Sequence, residues 1–108
     1  MSQVIPFVEV QLSSNGQVAS DIRTFDVGGG ARTVTPVLQS FDVQFGNRQD
    51  HHLGRLHVAL SADFQGPTGS TVWVRTDFAL RDWSGGDSDL NGDDPINATI
   101  TYAVILLP

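Results

Sequence analysis

Cysteine and lysine are absent from the sequence, and glutamate occurs once, at Glu9. Without cysteine there is no disulfide, no thiolate nucleophile and no cysteine-based zinc site, which fits a cytosolic setting. Without lysine, all six cations are arginines, set against twelve carboxylates of which eleven are aspartate. The resulting net charge of −6 offers no basic face to a phosphate backbone or an anionic membrane, so neither nucleic acid nor a lipid surface is an expected partner. No apolar run approaches the roughly 20 residues that cross a bilayer, so membrane insertion is not expected. The opening MSQVIPFVEV lacks a basic start and a long apolar stretch; the expectation is a cytoplasmic protein, or one released without a signal peptide. Catalytic signatures are missing as well. There is no G-x-S-x-G, no P-loop and no dinucleotide fingerprint, and the expectation is a protein that is not an enzyme.

What is present points to strands. Glu and Lys favour helices, whereas Asp favours turns, and the eleven glycines sit among many Val and Thr. The 108 residues suffice for one domain with one core, spanning 1–108. Val4, Val8, Val10 and Leu12 share one parity, and Asn15-Gly16 after them reads as a hairpin turn. Pro36 marks an edge or corner. Beyond it Val37, Phe41, Val43 and Phe45 share a parity, as do Leu56, Val58 and Leu60, and then Val72, Val74, Phe78 and Leu80. The closing run from Asn97 to Leu107 is apolar on both faces, which makes it a central strand or one buried by another subunit. The fold expected is all-β: a single antiparallel β-sandwich of six to seven strands.

The alternation leaves Trp73, Arg75 and Asp77 facing away from the core on one strand, and Arg55 and His57 on its neighbour. An aromatic ring beside a guanidinium and a carboxylate suits a sugar, whose C–H face stacks on the ring while its hydroxyls meet the charges. The same composition is ordinary for a subunit contact. If the hairpin through SADFQGPTGS pairs Val58 with Val74, Arg55 lies opposite Asp77 as an ion pair and His57 opposite Arg75. Trp83 follows in what reads as a loop, where it serves a ligand or caps the core.

GGDSDLNGDDP, residues 85–95, resembles a calcium loop. Asp87, Asp89, Asn91 and Gly92 fill the first positions of an EF-type loop, but Ala98 stands where its closing glutamate belongs. Asp93 or Asp94 would have to complete a looser calcium site. Turn chemistry alone also accounts for the run.

The succession SFDVQF, LHVALSADF, TVWVRTDFAL, a tryptophan loop and ATITYAVIL, roughly residues 39–107, resembles that of H-type lectins. The resemblance implies a six-stranded antiparallel sandwich that assembles as a trimer or hexamer and binds galactose-type sugars, with Trp83 and Arg75 in the positions that contact sugar. The sequence departs from that pattern in having no histidine beside Trp83 and in its aspartate loop. Two readings therefore leave the sequence. One is a lectin-like carbohydrate-binding homo-oligomer with no required cofactor, contacting its ligand through Trp73, Arg75, Asp77, Trp83 and His57. The other is a structural or accessory subunit of a larger assembly, such as a phage or secretion particle.

Overall fold

The computed structural model describes residues 2–15, 17–46, 53–67, 69–83, 90–91 and 95–108, with 53, 54, 82, 83, 90 and 91 described by their backbone. The strands are β1 (Gln3–Ser14), β2 (Ala19–Asp26), β3 (Thr33–Phe45), β4 (Leu53–Phe64), β5 (Thr71–Trp83), β6 (Leu90–Asn91) and β7 (Ile96–Leu107). They form two antiparallel sheets packed together as a sandwich, one in the order β1-β7-β3 and the other β2-β5-β4. The two-residue β6 pairs with the far end of β5. β7 is thus a central strand, as its two apolar faces require, and Pro36 lies on β3, an edge strand where a missing donor is tolerated.

Three sequence expectations fail in an instructive way. The Asn15 turn does not close a hairpin, because β1 pairs with β7 and β2 with β5. The chain crosses from one sheet to the other there, and turn residues suit such a corner as well as a hairpin. The parity of the first strand also breaks. β1 carries a bulge between Ile5 and Val8, so that Ile5, Val8, Val10 and Leu12 pack inward while Val4 lies exposed. β3 has its own irregularity between Leu38 and Ser40, which turns Val37 to the outer face and keeps Phe41, Val43 and Phe45 on the inner one. A single inserted residue reverses every later side chain, and alternation alone cannot reveal it.

The two irregularities flank the same stretch of β7 and are tied together. The backbone N–H of Phe7 donates to Oε1 of Gln39 at 3.0 Å. Phe7 has φ +54°, a conformation costly for a residue with a Cβ, and its side chain is 74% exposed.

Inside, the alternating residues of β5 and β7 form the centre of the core. Val72, Val74 and Phe78 face Ile100, Tyr102 and Val104, all with no exposed surface, and each fully buried large side chain contributes about 1.5–3 kcal/mol. Among the described residues, three polar atoms share this interior without a hydrogen-bond partner: Thr76 Oγ1, Tyr102 Oη and Asp21 Oδ2. Asp21 pairs in register with Thr76, and Arg23 Nε approaches its Oδ2 at 3.5 Å, too long for a good hydrogen bond. Burial pushes the Tyr102 phenol above its ordinary pKa; the charge of Arg23 opposes this and that of Asp21 adds to it. The core is less well closed along β3 and β4, where Leu38, Phe41 and Leu56 lie on the inner faces yet remain exposed.

Candidate functional site

β5 alternates without interruption, so burying Val72, Val74, Thr76, Phe78 and Leu80 turns Trp73, Arg75, Asp77 and Arg81 outward. The flanking strands set the neighbours of each. Thr24, Ile22 and Ser20 of β2 stand opposite Trp73, Arg75 and Asp77. On the other side β4 places Asp63, Ser61 and Ala59 opposite the same three.

Asp77 is the fixed point of this face. The Ser20 hydroxyl donates to its Oδ1, and Arg75 Nε donates to the same oxygen at 3.0 Å. The Ser20 hydrogen bond is the main reason that its carboxyl titrates below the ordinary aspartate value. Partial burial works against this, while Arg75 and the charge of His57 add to the lowering. The carboxylate in turn holds Arg75 in one orientation, with half of its side chain open to solvent.

The expected register of this sheet is corrected. Val58 stands opposite Phe78, not Val74, so His57 faces Ala79 and Arg55 faces Arg81. No Arg55–Asp77 pair forms. β4 continues inward with Ala62 and Phe64 past the point where a turn was expected. The reversal falls in residues 65–70, where Gly66 and Gly69 take φ of +80° and +67°, and Gln65 N–H donates to the Thr71 carbonyl at 2.8 Å. Moving the centre of a hairpin by two residues shifts the pairing by four, which preserves the faces and changes every partner.

Hollows open on this face among the described residues. One, of about 310 Å³, is lined by Ile22, Gln65, Trp73 and Arg75. Another, of about 170 Å³, is lined by Val18, Arg55, His57, Ala79 and Arg81. A larger one, about 470 Å³, lies on the opposite sheet among Gln11, Leu12, Ser13, Asn97, Ala98 and Thr99. It has neither an aromatic ring nor a charged group in its lining, and so no surface for stacking or ion pairing. Ser20, Ile22 and Gln65 are not part of the site expected from sequence: nothing local places β2 beside β5, and Gln65 follows β4 in the reversal.

The remaining predicted residues divide. Trp83 belongs to β5 and pairs with Leu90 of β6, so it is a strand residue and not part of a loop. That correction arises because the aspartate segment folds back onto β5 through β6. Asn91 stands opposite Asp82 in the same ladder. Asp87, Asp89, Asp93 and Asp94, the other candidate calcium ligands, lie outside the described residues. Among the described residues no three carboxylates or histidines gather into a metal-holding group.

No protein-family model matches the chain, and comparison with curated proteins and with solved structures finds no match.

Proposed function

We propose that the protein binds carbohydrate on the outer face of the β2-β5-β4 sheet and does so as a homo-oligomer. The observation that carries this reading is the hollow at Trp73. A half-buried indole forms one wall, Ile22 adds apolar surface, and Gln65 and Arg75 bring amide and guanidinium groups to the rim. An apolar ring face with donors and acceptors beside it meets both sides of a pyranose. Asp77 holds Arg75 in place before any ligand arrives, which lowers the ordering cost of binding.

Support for self-association comes from the other sheet. Its outer face is apolar at one end, where Val4, Phe7, Val37 and Leu107 are exposed, and acidic further along, at Glu9 and Asp42. Both carboxylates stand in register with the Thr99–Thr101 stretch of β7. A second copy related by a two-fold axis through the apolar end buries those side chains and keeps the acidic ends apart. A chain of net charge −6 needs such an uncharged seam in order to pair with itself.

A glycan array probed in calcium and again in chelator, followed by calorimetry on each hit, tests the reading. Trp73→Ala is expected to weaken binding at least tenfold with the assembly intact. Phe7→Asp is expected to dissociate the assembly in sedimentation while each subunit keeps its weak intrinsic affinity. No glycan bound in either condition would defeat the carbohydrate reading.

The structural-subunit reading is favoured by the same exposed apolar end, which a different protein of an assembly would also cover. A multimer that binds no sugar is its expected signature.

A further inference from the structure

The second hollow on the β2-β5-β4 face has a charge pattern that the described residues around it do not explain. Arg55 and Arg81 are direct register partners on adjacent strands. Like charges placed opposite each other in a sheet repel and destabilise it. His57, one row away, lines the same hollow, whose floor is Ala79 with Val18 at its side. The carboxylates of this face lie elsewhere along it: Asp77 accepts from Ser20 and Arg75, Asp63 stands opposite Trp73 and accepts from the Phe64 N–H, and Asp26 accepts from the Gly28 N–H. Among the described residues, neither Arg55 nor Arg81 has a carboxylate partner.

The hollow also has a backbone cause. β2 pairs with β5 no further than Phe78, and β6 meets β5 only at Asp82. Among the described residues, 79–81 therefore have no strand beside them on that edge, where Val18 borders the hollow. Three basic side chains line this one hollow in a protein whose carboxylates outnumber its arginines two to one. Arginine is the side chain best shaped to grip a tetrahedral or planar oxyanion through paired N–H groups.

We infer that this hollow is an oxyanion subsite formed by Arg55, Arg81 and His57, and that it receives the sulfate or phosphate ester of an acidic saccharide. This rests on the proposed carbohydrate reading for the identity of the ligand, though not for the binding of the anion itself. Trp73 and Ala79 are six residues apart on one strand, about 20 Å, so an oligosaccharide stacked on Trp73 reaches the arginines along the sheet.

The test uses the full chain at fixed ionic strength. Amide and guanidinium NMR signals are followed with sodium sulfate, with sodium phosphate and with chloride. Calorimetry then compares a sulfated oligosaccharide, its phosphorylated analogue and the neutral parent. Sulfate or phosphate, but not chloride, is expected to shift the signals of Arg55, Arg81 and His57. The esterified sugar is expected to bind at least tenfold more tightly than the neutral one. Arg81→Gln and Arg55→Gln should each erase that difference and leave neutral-sugar affinity unchanged, whereas Arg32→Gln, a charge removed elsewhere, should leave it intact. The relative affinity for sulfate and phosphate esters identifies the natural source of the anion.

Equal affinity for esterified and neutral sugars would overturn the inference and leave the carbohydrate reading standing. Oxyanion-specific shifts at the arginines with no sugar bound would keep the anion site and remove the carbohydrate reading. Shifts that chloride reproduces would overturn the subsite, as would arginines already closed off by carboxylates of this chain. Circular dichroism of each variant separates a lost site from a lost fold.

Discussion

The central strands β5 and β7 do the same thing inward and opposite things outward. Each presents an unbroken row of inward side chains, and each includes one hydroxyl residue among them, Thr76 on β5 and Tyr102 on β7. Outward, β7 carries Thr99, Thr101, Ala103, Ile105 and Leu107, with no ionisable group, while β5 carries Trp73, Arg75, Asp77 and Arg81. The core constrains only one side of each strand. The other side is free to diverge, and on this protein it has diverged into an uncharged row on β7 and an aromatic and charged one on β5.

The sharpest way to break that symmetry is to cut into the interior from each side. Phe78→Ala on β5 and Ile100→Ala on β7 both empty fully buried positions, and each is expected to cost about 3–4 kcal/mol in urea unfolding. A cost below about 1 kcal/mol for either would mean that its sheet does not share the core equally.

A smaller effect is expected from Asp77→Asn, which reaches only the β5 side. It weakens the charge-assisted hydrogen bonds from Ser20 and Arg75 and is expected to cost about 1 kcal/mol. Because the folded carboxyl titrates below its ordinary value, its stabilisation is complete above the unfolded aspartate range, about pH 4. It is lost as pH falls through the lower folded value. The variant should therefore show a shallower loss of stability in acid, measured by thermal unfolding between pH 5 and 2.

The smallest effect probes the β7 side. Tyr102→Phe removes a buried hydroxyl that has no partner, and a gain of up to about 1 kcal/mol is expected. Burial raises the folded phenol above its ordinary value. The wild-type chain should therefore lose stability as pH rises through the unfolded tyrosine range near 10, and the variant should lose less. A destabilised phenylalanine variant would show that the hydroxyl is satisfied by bound water.

These contrasts also explain which parts of the site could be read in advance. Trp73, Arg75 and Asp77 were legible as one outward face because β5 keeps strict alternation from Val72 to Leu80. Val37 was misassigned because its strand is irregular between Leu38 and Ser40, and a bulge has no signature in the pattern of apolar residues. Ser20 could not be recognised as the partner of Asp77, since 57 residues separate them and only sheet order brings them together. The Arg55–Arg81 pair was hidden by the same four-residue register error that suggested an Arg55–Asp77 bridge. Alternation is unchanged by a shift of two or four residues, so it fixes the face and leaves the partner open.

Composition and alternation alone determined that this chain is built of strands, that its last strand is apolar on both faces and central in its sheet, and which residues of β5 face away from the core. Local chain geometry suffices for those, because successive side chains of a strand point to opposite sides. Only the tertiary structure decided that β1 and β2 belong to different sheets, that Asp77 is held by Ser20 and Arg75, and that Arg55 and Arg81 stand opposite each other on β4 and β5. Those are relations between distant segments, set by how the two sheets bury their inner faces together, and no short stretch of sequence contains them.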